Sequence, residues 1–510
     1  MSPSVRTIVA STALAAVLAA AYLAWEPTSQ DLAAAVFRAE LFSEHGFLLW
    51  NDQWYSGHHL LSYSVTYPPL ADLVGVRLSA ALAVVAGAAL FALIVSRRVE
   101  GARAFVPSLW FAAGLASWLL TGRMPFLVAV PFGLAAIAAA ERDRNALAGV
   151  MAALASLASP VTGLFVGLVG VAIGLAGRRV RGAWLALGAG LPILGLNLAF
   201  PVGGEEPFVF SAFVAVPLAA TAALWLVPRE HAALRISVLL YALLTIAVFV
   251  IPNPLGGNVT RLGALLAGPV LALVLWPRGR LLVLAVSLPL AYWQLVAPVR
   301  DVIKGTGDPA TERAFFEPLL GALDRVTAGD GTVRLHIPPT ENRWEAAYVA
   351  PRFALARGWL RQLESDDFDL FADGELTAPL YEEWLAEHAV SYVAVPEAEL
   401  DYLAEDEVDL IHEGLSYLDP VWSNERWRLY RVAGAGISAS GIDGLAVDRI
   451  VLDRPEPGTR TLPVNWTRYW GVEAGTACVR ESDDGRIELE VRGPGRVEIA
   501  TRLGGDSCSE

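Results

Sequence analysis

The sequence predicts a polytopic α-helical membrane protein followed by a soluble part that mixes helices and strands. Of the 510 residues, 55% are hydrophobic and the mean hydropathy is +0.47, whereas roughly 45–50% of the residues in a soluble globular protein are apolar. The apolar residues are concentrated in residues 1–300, in runs long enough to cross about 30 Å of hydrocarbon. After Pro298 the sequence becomes charged and mixed, which is typical of a soluble domain.

Eleven apolar segments follow one another along residues 1–300. The first is either a signal peptide, since it ends in small residues, or a retained signal-anchor, which its run of roughly 20 apolar residues favours. Pro160 separates the fifth segment from the sixth and either kinks one helix or forms a turn between two. The eleven segments are 5–25, 73–95, 104–121, 125–140, 146–158, 161–176, 183–200, 209–227, 235–251, 262–276 and 281–299.

Arginines fall in every second connection between these segments, and this pattern sets the orientation of the chain. Cytoplasmic connections carry the excess of Lys and Arg, so the N-terminus is predicted to be cytoplasmic, while the long first loop (26–72) and the C-terminal part lie outside. A basic content that is nearly all Arg, with much Ala, Gly and Val, suggests a GC-rich bacterial genome and hence a bacterial plasma membrane. The arginines of the cytoplasmic connections are Arg97, Arg98, Arg103, Arg142, Arg144, Arg178, Arg179, Arg181, Arg229, Arg278 and Arg280.

Residues 301–435 and 436–510 are predicted to form two extracytoplasmic domains. In the first, helical patterns at 312–327, 344–363 and 378–388 alternate with strand patterns, which is typical of an α/β domain. In the second, short β runs separated by Gly and Pro predict a small β-sandwich. The net charge of −14 comes mostly from these domains and argues against nucleic acid as a partner, because its phosphates are bound by Lys and Arg.

The two cysteines, Cys478 and Cys508, lie near the C-terminus. Their spacing is compatible with two free thiols, whereas a location outside the cytoplasm favours a disulfide. Neither has a companion His or Cys at the spacing of a metal site.

The first half of the long first loop is predicted to be a helix. Asp31, Arg38 and His45 recur every seven residues and therefore share one helix face, and the apolar residues between them fit a helix on the membrane surface. Asp31 follows shortly after the first membrane span. Its carboxylate is either a helix N-cap or a general base at the membrane face, able to take a proton from an acceptor hydroxyl.

The second half of this loop, WNDQWYSGHHLLSYSVTYPPL, has the composition of a sugar-binding site. Trp54 and Tyr55 offer flat rings for a sugar face, and Asp52, His58 and His59 offer partners for hydroxyls or phosphate. The alternative is an aromatic belt at the membrane boundary. Adjacent histidines point to opposite sides of a strand, which favours phosphate or hydroxyl contacts over a zinc site.

Two other outer connections each carry one arginine on the side where arginine is otherwise avoided. TGRMPF holds Arg123, and PNPLGGNVTRLG holds Arg261 together with Asn258. Such arginines often extend toward lipid headgroups. The alternative is that both converge with the first loop to hold an anion at the outer leaflet.

Trp359 lies in the long helix predicted for 344–363. The spacing of its aromatic and charged residues is typical of a solvated helix with core aromatics. The alternative is that this helix covers the membrane site and contacts the acceptor.

The chain resembles the GT-C class of membrane glycosyltransferases. The resemblance in domain architecture covers most of the chain, whereas the resemblance in sequence motif covers only residues 31–75. The run EHGFLLWNDQWYSGHHLLSYSVTYPPLADLVG is similar to loops of uncharacterised actinobacterial proteins of that type, which are related to arabinosyl- and mannosyltransferases. The shared features are a cytoplasmic N-terminus, an acidic residue after the first span, a long first outer loop, about eleven spans and an extracytoplasmic C-terminal domain.

The resemblance implies transfer of a sugar from a polyprenyl-phosphate donor to a cell-envelope glycan or glycolipid, usually with inversion. Asp31 would be the base, with Asp52 and Glu44 as competitors. The first loop departs from the commonest pattern of the class because it lacks a paired acidic motif, which leaves a role for Mg²⁺ or Mn²⁺ open. The residues implied in donor phosphate binding are Arg123, Arg261, His58 and His59, and those implied in sugar or acceptor contacts are Trp54, Tyr55, Asn258 and Trp359.

Two functions of other classes stay open. A transporter or flippase of a lipid-linked saccharide would carry ionisable groups near the membrane midplane and a repeat between its halves, and neither is evident in the sequence. A non-catalytic envelope-assembly protein would use its soluble domains to bind partners, but it would not need so many polar and aromatic residues in the first loop.

Overall fold

The structure, a computed structural model, describes residues 2–201, 203–364, 370–371, 374–505 and 508. The chain divides into two compact units. The first contains Met1–Ser43 and Ser62–Thr306, and the second contains Glu44–Leu61 and Gly307–Glu510. The predicted first loop is therefore shared between the two units, whereas the sequence analysis assigned all of it to the membrane domain.

The first unit is helical. Each of the eleven apolar segments forms a helix with bounds close to those predicted, and two more helices, α2 and α3, lie in the region predicted as the first loop. The helices are α1 (Pro3–Trp25), α2 (Gln30–His45), α3 (Tyr67–Val74), α4 (Val76–Ser96), α5 (Ala102–Ser117), α6 (Met124–Ala140), α7 (Asn145–Ala158), α8 (Pro160–Leu175), α9 (Arg179–Ala199), α10 (Phe210–Leu226), α11 (Ala232–Val250), α12 (Arg261–Leu275) and α13 (Arg280–Gly305).

Seven helical stretches in the described part of the chain are long and apolar enough to cross a membrane, so the first unit is a membrane domain. Four more apolar helices, α6, α7, α8 and α10, have only 14–17 residues. Eleven crossings therefore stay a prediction. The seven stretches are Pro3–Trp25, Val76–Ser96, Ala102–Thr121, Arg179–Ala199, Ala232–Val250, Gly256–Arg278 and Arg280–Gly305.

Glycines let helix α9 approach α7 and α8 closely. A Cβ added at Gly182 would lie 2.5 Å from the carbonyl oxygen of Gly170 in α8, and one added at Gly188 would lie 2.5 Å from that of Gly149 in α7. Small residues at such crossings are how membrane helices pack, because lipid offers no hydrophobic drive for helix association.

The second unit begins with an α/β region built on a five-stranded mixed sheet of order β2-β1-β3-β5-β4. Strand β1 is parallel to β2 and β3, and β5 is antiparallel to β3 and β4. The elements of this region are α14 (Arg313–Val326), β1 (Arg334–His336), α15 (Glu345–Tyr348), β2 (Ala354–Leu355), α16 (Ala378–Glu387), β3 (Tyr392–Pro396), α17 (Glu405–Glu413), β4 (Leu418–Ser423) and β5 (Trp427–Val432).

The long helix predicted for 344–363 does not form. Helix α15 has four residues, and strand β2 follows it and pairs with β1. Pro351 lies between them, and proline disfavours helical backbone at the residue before it. The charged residue Arg357, which the prediction placed on a solvated face, is buried.

Residues 444–501 form two antiparallel sheets that enclose one apolar core. One sheet has the order β10-β11-β8 and the other β6-β7-β12-β9. Both contribute to the cluster, for example Leu462 and Leu489 from the first sheet and Ile450 and Ile499 from the second. The strands are β6 (Gly444–Ala446), β7 (Arg449–Leu452), β8 (Gly458–Asn465), β9 (Trp470–Ala474), β10 (Ala477–Glu481), β11 (Arg486–Val491) and β12 (Val497–Thr501).

Segment Glu44–Leu61 belongs to the second unit because its aromatic side chains are part of that unit's core. Trp50 is a member of the sandwich cluster and its ring contacts Trp470 edge-on, with centroids 6.2 Å apart. The backbone nitrogen of Asp52 donates to the carbonyl oxygen of Val447 at 2.7 Å.

The two cysteines are bonded to each other. Cys478 lies in β10, and the disulfide to Cys508 ties the C-terminal segment to that strand. Of the two alternatives left open by the sequence, the structure has the disulfide.

Candidate functional site in the first unit

An ion pair between Asp31 and Arg123 forms the centre of the site. Asp31 is the second residue of α2, and Arg123 immediately precedes α6. The Arg123 Nε donates to Asp31 Oδ2 at 2.6 Å, and both side chains are largely buried, at 19% and 16% exposure. Of the two alternatives that the sequence left open for Arg123, extension toward lipid headgroups or convergence with the first loop, the structure has the convergence.

Arg261, the first residue of α12, completes the set of predicted basic residues. It lies close enough to Asp31 and Arg123 to interact electrostatically with both, and it donates a hydrogen bond to Asn258. Its guanidinium also lies 5.5 Å from the ring centroid of Phe126. The structure therefore brings together four predicted residues: Asp31, Arg123, Arg261 and Asn258.

Tyr63 and Arg38 belong to the same cluster. The Arg38 guanidinium is buried and lies 3.7 Å from the centroid of the Tyr63 ring. Tyr63 interacts electrostatically with Asp31 and with all three arginines of the cluster. Burial raises the pKa of the Tyr63 hydroxyl and Asp31 adds to the effect, while the arginines lower it in part, so the hydroxyl keeps its proton and can donate.

A second carboxylate, Asp301 near the end of α13, lies beside this cluster. Arg300 donates to its Oδ1 from Nη2 at 2.8 Å and from Nε at 2.9 Å. Asp301 also interacts electrostatically with Arg123 and Asp31. The sequence analysis missed it because the eleventh apolar segment was taken to end at 299; a carboxylate directly after a span was the available signal.

Several polar atoms of the cluster have no partner within the described part of the chain. The Arg261 Nε is buried without a hydrogen bond. Arg123 uses its Nε for Asp31, and its two Nη groups have no hydrogen-bond partner among the described residues. A buried donor without a partner costs about 1–3 kcal/mol, so a hydrogen-bond acceptor placed against these groups would be stabilised.

The remaining predicted residues lie in the second unit. Asp52 is almost fully buried and accepts a hydrogen bond from Trp50 Nε1 at 2.6 Å. Burial raises its pKa well above the usual range, and Trp50 and Arg334 counteract this only in part. Burial at this position therefore favours the protonated carboxyl over the ionised form that a general base needs.

The predicted sugar-binding rings are also core residues. Trp54 is fully buried and donates from Nε1 to the carbonyl oxygen of Ala346 at 3.1 Å. Tyr55 is buried and donates to Glu364 Oε1 at 3.3 Å. The predicted acceptor residue Trp359 is half-buried in the same unit.

The histidine pair is held by its neighbours. The ring of His58 stacks on Trp54 with planes 6° apart. His59 Nδ1 lies 3.0 Å from the carbonyl oxygen of Leu49, and its Nε2 lies 3.3 Å from Thr467 Oγ1. Burial lowers the pKa of His59, which keeps its ring neutral. A neutral ring would not supply the charge expected for binding a donor phosphate.

Glu44 is the exposed exception. Its carboxylate is 66% exposed and lies 3.7 Å from the imidazole of His45. The candidates therefore separate into the Asp31 cluster of the first unit and a set in the second unit that is mostly buried.

The second unit contains a buried ionic network that the sequence analysis missed. Arg343 donates to Glu364 through two parallel bonds of 2.9 and 3.1 Å, and its Nε donates to Asp401 at 3.2 Å. Arg357 also donates to Glu364, at 3.2 Å. Burial alone would raise the pKa of Glu364, but the two arginines hold it below its usual value. Pairing on this scale suits a structural role, since every charge has a partner.

A metal site is not apparent beside Asp31. Among the described residues, one group of His, Cys, Asp or Glu is close enough to share an ion, namely Cys478, Glu490 and Cys508. The two sulfurs of that group are bonded to each other, so they do not act as thiolate ligands. A role for Mg²⁺ or Mn²⁺ stays a prediction from the family resemblance.

Comparison with known proteins gives little further information. No protein-family model matches the chain, and no curated protein does. A solved structure that matches is the crystal structure of an oligosaccharyltransferase from Archaeoglobus fulgidus, tethered through a disulfide bond to an acceptor peptide containing the NVT sequon. The match has 11% sequence identity and a TM-score of 0.47, over 84% of this chain and 74% of that one. This likeness is too weak to carry an argument about fold or activity.

Proposed function

We propose that the protein is a membrane glycosyltransferase that uses a lipid-phosphate-linked sugar as its donor, with the Asp31 cluster as its active site. The observation that carries the proposal is the meeting of two carboxylates, Asp31 and Asp301, with three guanidinium groups from separate connections. In the family resembled by the sequence, the donor is a polyprenyl phosphate sugar and the acceptor a cell-envelope glycan or glycolipid.

The charge and the hydrogen-bond donors of the cluster suit a phosphate. Arg38, Arg123, Arg261 and Arg300 carry four positive charges. Asp31, Asp301 and Glu206, which interacts electrostatically with Arg261, carry three negative ones, which leaves one positive charge for an anion. Guanidinium groups bind phosphate through paired N–H donors. The Arg261 Nε and the Arg123 Nη groups are donors without a partner among the described residues.

The chemistry assigned to the cluster is a displacement at the anomeric carbon. Asp31 takes the proton of the acceptor hydroxyl, whose oxygen forms the new bond to that carbon. The bond between the carbon and the phosphate oxygen breaks, and its electron pair leaves with the lipid phosphate. Arg123 and Arg261 stabilise the charge that develops on this phosphate. Electrostatic stabilisation of this kind is the largest contribution to the rate enhancement of many enzymes. Asp31 Oδ2 accepts from Arg123, so Oδ1 is the oxygen assigned to the proton.

The test is transfer of radiolabelled sugar from polyprenyl-phosphate arabinose and polyprenyl-phosphate mannose to envelope extract, in membranes that contain the protein. We expect Asp31→Asn to lower the rate at least about 100-fold, as loss of a general base does. Arg123→Lys keeps the charge but loses the planar fork, and we expect it to lower the rate about 10-fold or more.

The matched control is Asp72→Asn, which removes an exposed carboxylate from the same predicted loop. It should transfer sugar at the rate of the unchanged protein. Transfer that survives in Asp31→Asn would refute Asp31 as the base and leave Glu44 as the exposed competitor. Absence of transfer from either donor, with lipid-linked saccharide crossing vesicles instead, would replace the enzyme with a transporter.

A further inference from the structure

A cavity of about 590 Å³ in the first unit is lined by residues of three separate connections. Arg103 is the second residue of α5, at the end of the connection that the sequence predicts between the second and third apolar segments. Arg229 and His231 come from the connection between α10 and α11, and Arg278 comes from the one between α12 and α13. All three belong to the set of arginine-rich connections that the sequence predicts to be cytoplasmic. The cavity is therefore distinct from the Asp31 cluster, whose connections are predicted to lie outside.

Two of the arginines are oriented by carbonyl oxygens at helix ends. Arg103 Nε donates to Leu273 near the end of α12, at 3.1 Å, and Arg278 Nη1 donates to Leu226, the last residue of α10. Carbonyl oxygens in the last turn of a helix lack a partner within the helix. Each arginine satisfies one of them with a single N–H group, and its other N–H groups donate to no residue that the structure describes.

The third arginine has no such anchor. Among the described residues, the Arg229 side chain takes part in no hydrogen bond or ion pair. Glu230 is the one acidic residue in the cavity lining, and it forms no ion pair with these arginines within the described chain. The three arginines and Glu230 together give the cavity lining three positive charges against one negative charge, an excess of two positive charges.

The rest of the lining is apolar. Pro228, Val274 and Pro277 form part of the wall, and Val274 is buried. The positive-inside rule alone would explain arginines in these connections, but it does not require them to line a common cavity. Convergence of three connections on one cavity with apolar walls points instead to a ligand that is anionic at one end and apolar at the other.

We propose that this cavity binds the phosphate headgroup of an anionic lipid of the leaflet next to these connections. Its volume lies within the range of about 300–1,000 Å³ that is usual for small-ligand pockets. Basic pockets between membrane helices on the cytoplasmic side are known to take anionic headgroups. A soluble phosphate compound has the same phosphate chemistry as the lipid headgroup, but it would make no contact with the apolar walls of the cavity.

The test uses the full-length protein in a non-ionic detergent, with dioctanoyl phosphatidylglycerol as the probe. Dioctanoyl phosphatidylcholine and inorganic phosphate are measured in parallel, and affinity is followed by isothermal titration calorimetry. We expect the triple variant Arg103→Gln, Arg229→Gln, Arg278→Gln to bind phosphatidylglycerol at least 10-fold more weakly. The matched control is Arg97→Gln, Arg178→Gln, Arg179→Gln, which removes three exposed arginines of the same predicted face outside the cavity and should change the affinity less than 2-fold.

The single variant Arg229→Gln keeps the test decisive if the triple variant does not fold, because Arg229 anchors no other described residue. We expect it to weaken phosphatidylglycerol binding at least 3-fold at an unchanged unfolding temperature. Unchanged affinity in Arg229→Gln or the triple variant, or equal binding of phosphatidylcholine, would overturn the proposal. Inorganic phosphate that binds as tightly as the lipid and competes with it would overturn the lipid as the source and assign the cavity to a soluble phosphate.

Discussion

Gly122 and Leu32 are in direct backbone contact: a Cβ added at Gly122 would lie 2.4 Å from the backbone nitrogen of Leu32. Gly122 also has a φ of +76°, a conformation that glycine adopts without steric cost. Arg123 follows Gly122, and Asp31 precedes Leu32. The contact therefore brings the two partners of the central ion pair together.

We predict that Gly122→Ala weakens the Asp31–Arg123 pair. The added methyl group must displace the start of α2, and sugar transfer should fall at least about 10-fold, since small misplacements of catalytic groups are costly. Hydrogen exchange of the α2 amides should become faster. The control is Gly101→Ala. Gly101 also has a positive φ, +62°, but a Cβ added there would have nothing within 4 Å, so this variant strains the backbone without a steric clash. Equal effects of the two substitutions would show that the close contact does not matter.

The second prediction concerns the buried ionic network. Arg343→Met removes the guanidinium that Glu364 and Asp401 share. Arg357 still pairs with Glu364 and Arg361 with Asp401, but the buried network is left one positive charge short, and removing one partner of a buried pair costs about 3–5 kcal/mol. The matched control is Arg352→Met, which breaks an ion pair to Asp324 whose side chains are 50% and 46% exposed and which should cost under about 1 kcal/mol. Chemical unfolding of the purified protein, followed by Trp fluorescence, measures both values. Similar losses in the two variants would contradict a structural role of the network.

The third prediction is a pH dependence caused by Glu345. Burial raises its pKa to about 7, against a hydrogen bond from Thr340 that lowers it. Between pH 4.5 and 7 the folded state keeps a proton that the unfolded state releases. The free energy of unfolding therefore decreases as the pH rises through this window, by an amount on the order of 3 kcal/mol, and levels off above it.

Glu345→Gln should remove this decrease, because the amide is neutral at every pH in the window. Glu317→Gln changes an exposed residue of α14 and should keep the pH dependence of the unchanged protein. Denaturant unfolding at several values between pH 4.5 and 8 provides the measurement. A Glu345→Gln protein with the original slope would assign the pH dependence to other groups.

The fourth prediction concerns the disulfide. The chain has two cysteines, so a maleimide reagent should label the unreduced, unfolded protein at neither of them and the reduced protein at both. Cys508→Ser should expose one reactive thiol and lower stability by at most about 3–4 kcal/mol, the loop-closure term for 30 residues. Labelling of the unreduced protein would show that the bond does not form.

The helices of the first unit were predictable because their signal is local. A run of apolar residues long enough to cross hydrocarbon is visible in the sequence, and all eleven such runs form helices. The helix predicted for 344–363 was wrong because Pro351 interrupts the helical backbone and because Arg357 is buried in ion pairs and does not face solvent. Arg357 pairs with Glu364 and lies near Glu407, and helical periodicity carries no information about such pairs.

The candidate site was predictable in part for the same reason. Arg123 and Arg261 stand out because arginine is otherwise avoided in the outer connections, and Asp31 stands out because it follows shortly after the first span. Trp54 and His58 were interpreted as ligand-binding residues because sugar sites and protein cores share a preference for aromatic rings. A core residue differs from a sugar-binding residue in its burial, and Trp54 is buried against residues about 300 positions later in the chain. Local sequence patterns do not reveal contacts over such a separation.

The division of the first loop between the two units has a consequence for biosynthesis. Trp54 hydrogen-bonds to Ala346, 292 residues later, and Asn465 hydrogen-bonds to Tyr55, 410 residues earlier. At about 5–20 residues per second, the ribosome needs roughly 15–60 s to make the chain between Trp54 and Ala346. During that time the aromatic side chains of segment Glu44–Leu61 lack the residues that they pack against, and lipid or a chaperone must keep them from aggregating. In a truncated chain that stops at Thr306, these side chains would stay exposed permanently. Cells should therefore degrade the truncated protein even though its membrane helices are intact.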